Sequence, residues 1–208
     1  MSSPFPNPAP TRPSLLLALR DGDNHQAWAD FVDLYTPLVF RQCLRAGLQP
    51  ADAEDITQDV LRSVARALPS LDYHPARGSF RGWLLTVTRN RLHNFFSRDL
   101  RHPRGTGETA VHEFIANQPA PEASPDWEAD FRRRLFEVAA ERIRPEFQAS
   151  SWNAFWSTAV EGRPVDEVAV ELGLSAGSIY VARSRVTARL RAEITRLDDA
   201  DLGPASGP

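Results

Sequence analysis

The sequence predicts an all-α protein: two small helical domains joined by a flexible linker, the second ending in a helix-turn-helix. Three observations carry this expectation. Apolar residues recur at three- and four-residue spacing through two blocks, residues 14–98 and 126–197. No stretch of useful length alternates apolar and polar with the two-residue period of a strand. Between the blocks, Asp99 to Pro125 holds Pro103, Gly105, Gly107, Pro119, Pro121 and Pro125, which break regular structure. That segment is longer than a connection inside a compact domain usually is.

The elements follow in order. Residues 1–13 hold five prolines and no apolar core, so they read as a disordered arm rather than a signal peptide. Ser14 is a candidate cap for a short helix bearing Leu15, Leu16 and Leu19. Asp23 or Asn24 starts a longer helix with Trp28, Phe31, Leu34, Tyr35, Leu38 and Val39 on one side, ended by Gly47. Pro50 suits a first helical turn, and Asp52, Glu54 and Asp55 complement the positive end of the helix dipole. Ile56, Val60, Leu61, Val64 and Leu68 continue that helix until Pro69. Residues 72–79 read as a loop, and Phe80 to Phe96 as a helix with Phe80, Trp83, Leu84, Val87, Leu92 and Phe95 apolar.

In the second block, a helix carrying Phe131, Leu135, Val138 and Ile143 ends before Pro145. Another carries Trp152, Phe155, Trp156 and Val160 and ends at Gly162. Pro164 then opens a short helix with Val165, Val168, Ala169 and Leu172 inward. Gly173 suits a left-handed turn residue, Leu174 plugs the corner, and Ser175 caps a last helix that returns Ile179 and Ala182 to the core. Residues 198–208 read as a frayed tail.

Composition narrows the function classes. The net charge is −3, so a uniformly basic nucleic-acid binder is excluded while local basic faces are not. All 24 basic residues are arginine, whose planar, always-charged head suits phosphate contacts. The single cysteine, Cys43, forms no internal disulfide, and a reducing cytoplasmic location fits. No apolar run approaches a membrane span. The five histidines are scattered, and no nucleophile elbow, phosphate loop or HExxH is present. Neither a catalytic set, a metal site nor a cofactor is expected.

Three constellations remain. The last helix carries Arg183, Arg185, Arg189, Arg191 and Arg196, so it can enter a DNA major groove while arginines take phosphates. Its bland rival is a solvated helix of a plain bundle. Residues 73–104 interleave seven arginines with Tyr73, Phe80, Trp83, Phe95 and Phe96, a mixture that suits unstacked single-stranded bases. For Phe80, Leu84 and Val87 a core role is the better reading; for Trp83 the two readings balance. Asp52, Asp55 and Asp59 fall on one helical face as unpaired like charges, which calls for a basic partner; the rivals are plain solvation and a carboxylate metal site, the latter with no histidine at ligand spacing.

The order of these constellations resembles the extracytoplasmic-function (ECF) sigma factors of bacterial RNA polymerase. The likeness rests on residues 52–61 (DAEDITQDVL), 77–84 (RGSFRGWL), 88–98 (TRNRLHNFFSR) and 173–191 (GLSAGSIYVARSRVTARLR). The resemblance implies a first domain over 14–98 that docks on core polymerase and reads and melts the −10 element. It implies a linker over 99–125 and a second domain over 126–197 that reads the −35 element. Asp55, Gln58 and Asp59 match the D-x-x-Q-[DE] helix that meets the clamp helices of the largest subunit, with Arg62 extending the face. Loop residues 74–79 would hold a flipped −10 base. Arg77, Trp83, Arg89, Asn90, Asn94 and Arg98 are implied −10 contacts. Ser178, Tyr180, Val181, Arg183, Ser184, Arg185 and Arg189 are implied −35 contacts. Here the sequence departs from the family: common members carry a basic residue followed by Ser-Arg where this chain has Tyr180, Val181 and Ala182. The implied partners are core RNA polymerase (clamp helices and flap region) and promoter DNA, with an anti-sigma factor left open and no membrane. The protein would confer promoter specificity without being an enzyme itself. The rival is a stand-alone helix-turn-helix regulator, which leaves the acidic helix and the aromatic-basic segment unexplained.

Overall fold

The computed structural model describes residues 18–19, 24–68, 80–99 and 124–198, with side chains as far as Ser97 in the third segment. The expected arm, the loop 72–79, most of the linker and the tail beyond Asp198 lie outside the described residues. Every described element is helical and none is a strand. The chain divides into two compact units, residues 1–134 with 198–208, and residues 135–197.

In the first unit, α1 spans His25–Arg45. Its cap is Asn24, whose Oδ1 accepts from the Ala27 amide at 3.0 Å. α2 spans Pro50–Ala67 with Pro50 in its first turn, where a missing N–H costs nothing. α3 spans Phe80–Asp99. The three pack against one another. Phe31, Tyr35 and Phe80 form an aromatic triangle with centroids 5.0, 6.1 and 5.6 Å apart. Val39, Ala53, Val60, Val64, Leu84 and Leu85 are fully buried around it. α3 has no clean polar face over its first three turns, because Phe80, Trp83, Leu84, Leu85, Val87 and Thr88 are all buried. A helix apolar on several sides is enclosed by its neighbours on more than one face.

Pro37 lies inside α1 and does not end it. A helical proline lacks the N–H that would satisfy the carbonyl four residues back. That carbonyl, Asp33 O, instead accepts from Arg134 Nε at 2.9 Å. Arg134 belongs to α4, Pro125–Ile143, which contributes Pro125–Arg134 to the first unit and Leu135–Ile143 to the second. The other contacts of its first half are strong. Phe131 stacks on Tyr35 at 5.6 Å and lies under the Arg81 guanidinium at 4.3 Å. Asp130, 6% exposed, takes Arg41 and Arg45 at 2.7 and 2.6 Å. Periodicity suggested a second domain opening at Asp126. The contacts divide the chain after Arg134, because Phe131 and Asp130 find their partners on α1 and α3.

The second unit continues with a 3-10 turn, Arg144–Glu146, and α5, Ala149–Phe155, which widens into a π turn at Trp156–Val160. Trp152 and Trp156 stack at 5.9 Å. α6 spans Val165–Leu172 and α7 spans Ala176–Asp198. Gly173 joins them at φ +65°, a left-handed conformation that costs a residue with a Cβ about 1–2 kcal/mol. Its amide and that of Leu174 reach back to the last carbonyls of α6. Ser175 Oγ caps α7 by accepting from the Ser178 amide at 3.1 Å. Ala154, Val168, Ile179 and Ala182 form the core under this turn, and Ala169, Leu172 and Leu174 pack against it.

Candidate nucleic-acid interface

Three surfaces carry the residues expected to function. The first is the outer face of α2. Ala53, Ile56, Thr57, Val60, Ser63 and Val64 turn inward. Asp55, Gln58 and Arg62 are therefore exposed, with Asp59 beside them half-buried. Arg62 donates to Asp59 at 2.6 Å and to the Gln58 carbonyl at 3.4 Å. The four residues form one contiguous face, and Arg62 offsets part of the acidic charge that the sequence suggested was unpaired.

The second surface is on α3. Trp83 was weighed as a base platform, but it is only 7% exposed and packs on Phe80 at 5.3 Å. The reason is phase: Phe80, Trp83, Leu84 and Val87 share one stripe, and that stripe is the core. Arg89 is exposed, Asn90 and Asn94 are half-buried, and the Asn90 Nδ2 is enclosed without a partner. Arg91 is turned inward to Ser63 Oγ at 2.6 Å. Sequence reasoning left His93 unassigned and named Phe96 among the interleaved aromatics without assigning it a contact. Both are exposed, one and two turns beyond Arg89, and Phe96 is 41% exposed against the edge of Phe95. Because α3 is apolar on several sides, helical phase alone does not separate these two from its core residues. Arg77 and loop 74–79 lie outside the described residues, as does the side chain of Arg98.

The third surface is on α7. Ile179, Ala182, Val186, Leu190, Glu193 and Leu197 face the core. Tyr180, Val181, Arg183, Ser184 and Arg185 are exposed. A shallow groove runs between Tyr180, Arg183, Ser184, Thr187, Ala188 and Arg191. Ser178 is exposed, and its hydroxyl is within 2.9 Å of the capping Ser175 Oγ. Arg189 differs from its expected role. Its guanidinium is held by both Glu146 carboxylate oxygens at 2.8 and 2.7 Å and by Glu193 at 3.1 Å. Glu193, 5% exposed, also takes Arg196 at 2.7 Å. Burial pushes the Glu193 carboxyl up, but Arg196 and Arg189 outweigh it and hold the group below its ordinary value. Arg189 thus ties α7 to the 3-10 turn.

Cys43 is not prepared for covalent chemistry. Burial pushes the Cys43 thiol up to about 11 against an opposing hydrogen bond with Thr57, the reverse of what a nucleophile needs. Among the described residues, no cluster of His, Cys, Asp or Glu forms a metal site. None of the described helices is long and apolar enough to cross a membrane.

Residues 31–102 match the family described as sigma-70 region 2, a span that holds the α2 and α3 surfaces. The chain is 28% identical over 184 residues to "ECF RNA polymerase sigma factor SigE" of Mycolicibacterium smegmatis, covering 87% of this chain and 65% of that relative. It is 28% identical to "ECF RNA polymerase sigma factor RpoE" of Cereibacter sphaeroides, covering 80% of this chain and 85% of the relative. It is 27% identical to "ECF RNA polymerase sigma factor ShbA" of Streptomyces griseus, covering 80% and 87%. The chain spans just under two thirds of the length of the first of these and most of the other two.

Proposed function

We propose that the chain is an ECF-type RNA polymerase sigma factor, one that binds core polymerase and directs it to promoters through separate surfaces. The observation that carries the reading is the exposed Asp55–Gln58–Asp59–Arg62 face of α2, which lies inside the span matched to sigma-70 region 2. An exposed acidic face repels phosphate, so it suits a basic protein partner better than DNA. In this reading the face meets basic residues of the clamp helices of the largest polymerase subunit.

The α3 surface takes the −10 strand. Arg89 engages backbone phosphate, and Phe96 replaces Trp83 as the aromatic platform for an unstacked base. Asn90, Asn94 and Arg98 flank it, and Arg77 with loop 74–79 receives the flipped base. α6 and α7 form the helix-turn-helix that reads the −35 duplex, through Ser178, Tyr180, Val181, Arg183, Ser184 and Arg185. Arg189 acts as a brace for that helix. A flap contact of the second unit and an anti-sigma partner rest on the family resemblance alone, and the linker joins the two domains.

The test is run-off transcription with purified core polymerase on a library of genomic fragments. Specific transcripts that require the added chain support the reading. A folded chain that starts transcription from no fragment overturns it, and a DNA-binding dimer that ignores polymerase would favour a stand-alone regulator.

A further inference from the structure

We propose that Tyr180 and Val181 read thymine methyl groups in the −35 element, so that this part of the site is recognised by apolar contact. The inference rests on the reading of α7 as the −35 helix and goes on to name the base. Tyr180 and Val181 are the fifth and sixth residues of α7, 56% and 58% exposed. The early residues of a recognition helix are the ones that reach base edges. Ile179 and Ala182, on either side of the pair, are buried and hold its orientation. Val181 stands with Ser184 and Ala188 at helical spacing on the side opposite the core.

The chemistry of this strip is unusual for a charged helix. A side chain that distinguishes guanine or adenine in the major groove presents paired donors or a donor and an acceptor. Valine presents neither, and a tyrosine ring presents mostly carbon. The major-groove feature such groups do match is the C5 methyl of thymine. Arg183 and Arg185 flank the pair, are exposed, and have no ion-pair partner among the described residues. They supply the positive charge that seats a duplex against the strip. Val181 covers the methyl of one thymine and the Tyr180 ring the methyl of its neighbour.

The experiment uses holoenzyme formed from the full chain and core polymerase. A duplex library randomised upstream of a fixed start region is selected for binding. Each enriched thymine is then replaced by deoxyuridine, which removes only the methyl. Wild-type binding is expected to weaken about fourfold at the thymine under Val181, the equivalent of one buried carbon group. In Val181→Ala that penalty should shrink to less than about half, and Tyr180→Ala should do the same at the adjacent thymine. Both positions are exposed, so unchanged thermal unfolding is expected for both variants. Enriched sites without thymine, or a deoxyuridine penalty identical in wild type and variants, overturn the inference and leave the promoter role intact. Loss of core-polymerase affinity with base preference unchanged assigns the pair to a protein contact and likewise overturns it. A library with no enriched sequence overturns the −35 reading itself, and the inference with it.

Discussion

Arg189 and Arg185 lie four residues apart on α7, and both read from the sequence as DNA contacts. Arg189 is occupied by Glu146 and Glu193, whereas Arg185 is exposed. Arg189→Ala should therefore destabilise the second unit while leaving −35 base preference unchanged. Arg189 and Glu146 are both partly solvated, so the loss is discounted to about 1–2 kcal/mol, a fall of several degrees in Tm for a unit of this size. A shifted base preference with unchanged Tm would contradict the brace assignment. The same cluster gives a pH dependence. The Glu193 carboxyl is lowered from 4.5 in the folded protein. Its contribution is present above the unfolded value and is lost as pH falls through the folded one. Unfolding of wild type should become easier with acid below about pH 4.5, and Glu193→Gln should remove part of that slope, as read by denaturant midpoints across pH.

At the scale of elements, the first half of α4 is held on the first unit by a small number of specific contacts. Asp130 joins Arg41 and Arg45, Phe131 meets Tyr35 and Arg81, and Arg134 takes the carbonyl that Pro37 leaves without a donor. Burial raises the Asp130 carboxyl, but its bonds to Arg45 and Arg41 outweigh that and keep it below its ordinary value. Asp130→Asn keeps the shape and removes the charge. It should speed amide hydrogen exchange over residues 125–134 roughly tenfold, with protection of α2 unchanged, since a partly exposed pair contributes only about 1–1.5 kcal/mol. Equal loss of protection in α2 would mean that Asp130 supports the whole unit rather than this segment.

At the scale of the molecule, the proposed division of labour predicts separable defects. Reversing Asp55 and Asp59 to arginine should weaken core-polymerase binding at least about tenfold through repulsion from a basic partner, with helix content unchanged because both positions face outward. Arg185→Ala should keep core affinity and cost about 1–3 kcal/mol of promoter binding, concentrated at one base pair if it reaches a base edge. Fluorescence anisotropy with core polymerase and run-off transcription on selected promoters separate the two. Identical defects in both assays would contradict two independent surfaces.

What the sequence determined by itself was local. Asn24, Pro50, Gly173 and Ser175 stand where the helices begin and turn, because capping oxygens, proline and left-handed glycine act on their own backbone neighbours. The exposed face of α2 was legible for the same reason: its apolar stripe is clean, so its polar side follows from helical phase. The tertiary structure alone decided which residues of α3 and α7 remain available. α3 is apolar on several sides, and phase could not say that Trp83 is enclosed while Phe96 is exposed until α1 and α2 were packed against it. Arg189 is engaged by Glu146, 43 residues away, and Asp130 by Arg41, 89 residues away. Ion pairs and burial of that kind depend on groups distant in the chain, and periodicity records only neighbours three and four residues apart.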